Sequence, residues 1–244
     1  MGMRLIRYFL LLRLLPLFIV VLYPTLLFAA VAFVREGHND SSAATTLTIT
    51  VTVDAGNDVV IFFTGSGATT TITSVLDNNS VAYTSLDVAG DNITTHKLWA
   101  YGLVNAPAAT SIIVTYSQAA VSNGMALVYS GVSSFGNEAE NTNTSSTNPT
   151  VSVTTQDNNN FVACGMPDAT GGGTHTAQNG TIRLNAYNLN QASSQMTGVD
   201  NTAASPGSVT CSFTTASAVN FTAIGIELRD EVVSSGVRRR IIFQ

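Results

Sequence analysis

Lysine is nearly missing from this 244-residue chain: Lys97 is its only one, and charged residues of every kind make up 10% of the sequence. Between Ser41 and Leu228 the only cations besides histidine are Lys97 and Arg183. They stand against Asp54, Asp58, Asp77, Asp87, Asp91, Glu138, Glu140, Asp157, Asp168, Asp200 and Glu227. Two positive charges against eleven negative ones leave the body at a net −9. Such a surface repels phosphate backbones, which excludes nucleic acid as a main partner. The two cysteines, Cys164 and Cys211, are too few for a metal site, and no histidine stands at a ligand spacing from either. Catalytic signatures are also lacking. His38, His96 and His175 are widely spread, and there is no G-x-S-x-G elbow to give a serine the geometry of a nucleophile. Glu138 and Glu140 sit in one polar stretch, expected to be a solvated loop. A glycosidase instead holds two carboxylates on opposite sides of a bond. The expectation is a protein that is not an enzyme, with a secreted polysaccharide hydrolase as the remote alternative.

What is present begins with an apolar leader. Arg4, Arg7 and Arg13 flank it, no acidic residue precedes Glu36, and Leu14 to Val34 is apolar apart from Tyr23, Thr25 and two prolines. A basic start, an apolar core and small residues at Ala30-Val31-Ala32 describe a secretory signal cleaved before Phe33. A run of about 20 apolar residues also suits an uncleaved helical anchor. Either way the bulk of the chain is exported, to the extracellular space or the cell surface. The expected organisation is a signal peptide or anchor over 1–32, a linker over 33–44 with His38 in it, a β-sandwich domain over 45–230 and a basic tail over 231–244. The membrane is expected to be met only through the N-terminal segment. In an oxidising compartment Cys164 and Cys211 are free to form a disulfide, with buried free thiols as the alternative.

The body is rich in Thr, Ser, Asn and Gly, residues of strands and turns. Thr46 to Val53 runs TLTITVTV and places Leu47, Ile49, Val51 and Val53 on one face, the pattern of a half-buried strand. About a dozen such short runs separated by turn signals predict an all-β fold, two packed antiparallel sheets of jelly-roll type. Turn acids at Asp54/Asp58, Asp77/Asn78/Asn79 and Asp87/Asp91/Asn92 offer oxygen ligands, but none completes a calcium loop. No cofactor is expected, a structural calcium being the one candidate. Sequons stand at Asn39, Asn78, Asn92, Asn143, Asn179 and Asn220.

One succession of motifs carries a resemblance. Ser74-Val75-Leu76-Asp77-Asn78-Asn79-Ser80-Val81-Ala82-Tyr83-Thr84 is followed by Leu98-Trp99-Ala100-Tyr101, by Val104 to Thr110, by Ile112 to Ser117, and by Tyr129-Ser130-Gly131-Val132. Over roughly Thr45 to Arg229 this order is similar to a broad, poorly characterised set of secreted bacterial and phage-associated β-sandwich surface modules. It departs at Ser80 and Ala109, where that set often has glycine, the residue that supplies positive φ. The resemblance implies a fold and a surface setting and brings no catalytic residues with it.

Binding is expected at aromatics. Lys97, Trp99 and Tyr101 share one face of a strand, and Tyr187 alternates with Arg183 and Asn185 opposite Ile182, Leu184 and Ala186. Exposed rings beside polar groups stack on sugars, which makes Tyr187, Trp99 and Tyr101 the candidate contacts to a polysaccharide or cell-surface glycan. Trp99 shares its face with Leu103, which favours a core position for it over an exposed one. The expected function is an exported module for adhesion or carbohydrate binding. The alternative is a self-associating structural subunit of a surface layer, filament or virion appendage.

Overall fold

The computed structural model describes residues 30–93, 96–158, 160–169, 173–187 and 194–230. The expected signal peptide or anchor, apart from its last residues, and the basic tail lie outside them. The described residues hold fourteen strands and no helix: β1 (Ala32–Val53), β2 (Asn57–Ser66), β3 (Ile72–Asp77), β4 (Thr84–Ile93), β5 (His96–Ala106), β6 (Ala109–Ser130), β7 (Val132–Ser146), β8 (Thr150–Thr155), β9 (Asn160–Asp168), β10 (Thr176–Asn179), β11 (Thr181–Tyr187), β12 (Gln195–Ala203), β13 (Gly207–Thr214) and β14 (Val219–Asp230). Their pairings are antiparallel. The fold is thus all-β and layered like a sandwich, but it has three sheets where two were expected. One is six-stranded, in the order β1-β6-β2-β5-β4 with β3 also on β6. The second is β11-β12-β9-β14-β7, and the third is β10-β13-β8.

The first sheet folds over on itself. β6 pairs with β1 along most of its length, with β3 over Ile112 to Tyr116 and with β2 over Gly124 to Tyr129. The fold falls where β1 loses register at Ser42/Ala44 and Ala44/Thr46, with Ala43 at φ 117°. Asn39 Nδ2 then reaches Thr48 O at 2.7 Å, and Arg35 reaches Asp54 Oδ2 at 2.7 Å, within and just beyond the same strand. Bulges of this kind bend a strand and are how sheets turn corners. The segment 33–44, expected as a linker, is therefore strand, and His38 is paired rather than mobile. Its polar run from Arg35 to Ser42 hid it, because that part is held by the β6 ladder and by cross-layer polar bonds, with Phe33 alone packing against the second core.

Three cores result. Leu47, Ile49 and Val51 of the folded-over flap meet Val59, Ile61, Phe63 and Trp99 in the first. Val60, Phe62, Met125, Leu127 and Tyr129 meet Met196, Ile224, Ile226 and Leu228 in the second. Val162, Cys164, Val199 and Phe221 meet Val151, Val153, Val209, Cys211 and Phe213 in the third. β2 alternates between the first and second cores and β14 between the second and third. Both are buried nearly end to end and so lack an alternating pattern. A disulfide joins Cys164 of β9 to Cys211 of β13 across the third core.

Polar side chains replace ladder bonds where layers meet. Asn137 and Asn141 of β7 donate to Thr154 O and Thr150 O of β8 at 2.7 and 2.8 Å, and Asn201 of β12 donates to Thr210 O of β13 at 2.6 Å. The stretch with Glu138 and Glu140, expected as a loop, is thereby the edge strand β7 of the middle sheet. Both glutamates lie on its exposed positions, a placement that discourages further edge pairing.

Candidate functional site

Sheet register decides what the edge of β1 presents. Glu36 and His38 pair with Leu127 and Met125, which point into the second core. Directly opposed residues of an antiparallel pair project to the same face. Glu36, His38 and Asp40, spaced by two, therefore project toward the middle sheet, where they meet its own edge strand, β11.

There His38 and Tyr187 pack ring to ring, with centroids 4.0 Å apart and planes tilted by 56°. His38 Nδ1 lies 2.7 Å from Glu36 Oε2, and both side chains keep partial exposure. Burial pushes the Tyr187 phenol up from its ordinary value, and the negative charges of Asp40 and Glu36 add to the effect. The hydroxyl therefore stays protonated and able to donate. The margin thus combines one aromatic ring, two carboxylates and an imidazole.

Tyr187 does not stand where simple alternation puts it. β11 slips register against β12 between Leu184 and Tyr187, so Tyr187 shares the second-core side with Leu184 and is half-buried at its margin. Its expected face partners are engaged elsewhere. Arg183 Nε donates to Asp200 Oδ2 at 2.8 Å while its guanidinium lies 4.1 Å over the Phe33 ring. Burial raises the Asp200 carboxyl, against the pull of Arg183. Asn185 clamps the His175 backbone, accepting from its N–H and donating to its carbonyl, each at 2.8 Å.

Trp99 and Tyr101 do not join Tyr187. Trp99 is 4% exposed in the first core and stacks on Phe63 with centroids 5.7 Å apart; Tyr101 is half-buried against the same phenylalanine at 5.6 Å. Trp99, which shares its strand face with Leu103, is core, because the folded-over flap covers that side of β5.

A second constellation escaped the sequence. His175 Nδ1 lies 2.7 Å from Thr197 Oγ1, and its Nε2 lies 3.3 Å from Asp168 Oδ2. The imidazole stacks on Phe213 at 4.3 Å, nearly parallel. Desolvation lowers the His175 pKa to about 4, so the ring is neutral near pH 7, when Thr197 and Asp168 can hold its tautomer. The order Thr–His–Asp resembles a nucleophile relay, but Asp168 and Thr197 are both 0% exposed and His175 is 5% exposed. The trio presents no nucleophile to solvent and acts as a fastener between β9, β12 and the approach to β10. Asp168 and His175 stand seven positions apart, and no motif spacing marks such a pair.

The turn acids are used locally. Asp54 pairs with Arg35. Asp58, raised by burial, accepts from the backbone N–H groups of Asn105 and Val132 at 2.8 and 2.9 Å. Asp77 Oδ1 accepts from Asn79 and Val81, while Asn78 Oδ1 accepts from Thr110. Among the described residues no group of three or more His, Cys, Asp or Glu side chains is placed to hold a metal ion; the side chains of Asp91 and Asn92 lie outside them. A comparison with protein-family models, with curated proteins and with solved structures found no match.

Proposed function

We propose that the chain is an exported, non-enzymatic surface module that binds glycan at the margin between β1 and β11. The observation that carries this is the meeting of Tyr187 with the Glu36–His38 pair. An aromatic ring offers an apolar face to the C–H side of a sugar, and carboxylates accept from neighbouring hydroxyls. The resemblance to secreted β-sandwich surface modules supports the same setting, and this reading needs no jelly-roll strand order. Tyr187 is the principal contact; Tyr101 remains a secondary candidate through its half-exposed edge, and Trp99 is assigned to packing.

Glycan-array screening of the folded protein tests this. Binding to a defined glycan class that Tyr187→Ala abolishes while the melting temperature is kept supports the assignment. Ordered self-assembly with no glycan bound would overturn it in favour of a structural subunit. Hydrolysis of a polysaccharide panel that is lost on Glu138→Gln or Glu140→Gln would overturn it in favour of a hydrolase.

A further inference from the structure

The fold treats the six sequons of the chain very differently. Asn39 is half-buried inside β1 and donates from Nδ2 to Thr48 O at 2.7 Å, across the fold-over. Asn78 sits in the turn after β3. Its Oδ1 accepts from the Thr110 N–H at 2.8 Å, and Ser80, the hydroxyl residue of its sequon, holds φ 65°. Asn179 donates from Nδ2 to Ser212 Oγ at 2.8 Å, and the bulge that seats it is followed by Gly180 at φ 97°. Asn220 depends on the hydroxyl of Thr222, which is 1% exposed. The side chain of Asn92 lies outside the described residues.

Asn143 differs from all of these. Asn143, Thr144 and Ser145 are exposed on β7, an edge strand of the middle sheet. The cause is where the third sheet stops. Asn141, on the same face of β7, donates to Thr150 O, and Thr150 is the first residue of β8. Asn143 therefore projects past the end of β8. Its Oδ1 accepts from the Ser145 N–H at 2.9 Å, which holds the carbonyl side of the amide against the backbone. Nδ2, on the other branch of that planar group, is turned outward, and among the described residues no acceptor holds it.

We propose that Asn143 is an N-glycosylation site, the described sequon that takes an oligosaccharide onto the folded domain. The partner is an oligosaccharide carried on a polyprenyl diphosphate, together with a transferase that reads Asn-x-Ser/Thr. Asn143 Nδ2 forms a bond to the anomeric carbon while that carbon's bond to the diphosphate oxygen breaks. The lipid diphosphate leaves with the bonding electron pair, and one amide proton passes to a base of the transferase. Oδ1 is untouched, so the bond from the Ser145 N–H survives, and the Ser145 hydroxyl is exposed for the transferase to read. At Asn39 and Asn179 the same attachment disturbs a bond between strands, at Asn78 it meets a locked turn, and at Asn220 the hydroxyl to be read is buried.

This rests on the export part of the function above and not on glycan binding. β7 and β11 are the two edges of one five-stranded sheet, four inter-strand steps or about 19 Å apart. A saccharide on Asn143 thus leaves the Tyr187 margin open. It covers the end of β7 that Asn137 and Asn141 do not tie to β8, and so shields that edge from pairing with a second copy.

The test incubates the purified, folded full chain in detergent with a single-subunit oligosaccharyl transferase of that specificity and a lipid-linked oligosaccharide. Peptide mass spectrometry locates the sugar, and a free peptide of residues 140–148 serves as the reference acceptor. The expected result is an oligosaccharide on Asn143, lost in Asn143→Gln and in Ser145→Ala and retained in Ser145→Thr, with Asn39, Asn78, Asn179 and Asn220 unmodified. Asn143 left bare while the reference peptide is consumed would overturn the proposal, as would equal or greater occupancy at any of those four asparagines. The readout needs no bound glycan: an empty glycan array leaves it standing, and a bare Asn143 leaves the binding margin standing.

Discussion

Gly37 and Val51 belong to one strand and pack face to face: a Cβ placed on Gly37 would stand 2.5 Å from that of Val51. Real side chains do not approach so closely, so the fold-over of β1 requires glycine here. Gly37→Ala is expected to destabilise the domain by about 1–3 kcal/mol through overpacking. Urea unfolding measures this; an unchanged midpoint would mean that the two halves of β1 do not face each other.

Ser80 holds φ 65° in the exposed turn after Asp77, where its N–H donates to Asp77 O at 3.0 Å. It adopts the conformation that glycine would supply at this departure from the resembled modules. Ala109, the other departure, is not among the positive-φ residues. A left-handed conformation costs a residue with a Cβ about 1–2 kcal/mol, part of which glycine returns as entropy of the unfolded chain. Ser80→Gly is expected to raise stability by about 0.5–1 kcal/mol, read as a higher melting temperature.

The Cys164–Cys211 disulfide closes a separation of 47 residues between the second and third sheets. In the chain-entropy account a loop of that length contributes on the order of 4 kcal/mol. Cys164→Ala with Cys211→Ala is expected to lower stability by up to that amount. Non-reducing mass spectrometry of the unaltered protein is expected to find no free thiol.

His175 gives stability a specific pH dependence. Its folded pKa is lowered to about 4, against an ordinary 6.5. Between those values the unfolded chain binds a proton that the folded one refuses, so stability falls as pH drops through this window. The loss is on the order of 2–3 kcal/mol. Denaturation midpoints measured from pH 7 to 4 in the native protein and in His175→Asn are expected to converge at the acidic end, as the variant lacks this term.

Much of this fold was legible where one face of a strand is dry and the other wet. Leu47, Ile49, Val51 and Val53 alternate in the sequence and all lie in the first core. Legibility failed in two opposite situations. β2 and the second half of β6 are buried on both faces, so their apolar runs give strand content but no hint of which layers they divide. The Arg35–Ser42 part of β1 and the Glu138–Ser146 part of β7 are polar, held by backbone ladders and by Asn39, Asn137 and Asn141, and they read as linker and loop. The site was half legible. Tyr187 was singled out by its alternation with Arg183 and Asn185, but a slip of register turned it to the other side, and the Glu36–His38–Asp40 spacing acquired meaning only once β1 was seen to run beside β11. The His175 fastener depends on contacts between distant strands that no local pattern encodes.

The central claim is that Tyr187 and the Glu36–His38 pair form the glycan contact. Its most direct test is the affinity of the best array glycan for the native protein, for Tyr187→Ala and for Glu36→Gln, each with its melting temperature. The account predicts a loss of at least about 10-fold in each variant, equivalent to one aromatic contact or charged hydrogen bond, with folding retained. Affinity unchanged in both folded variants would contradict it.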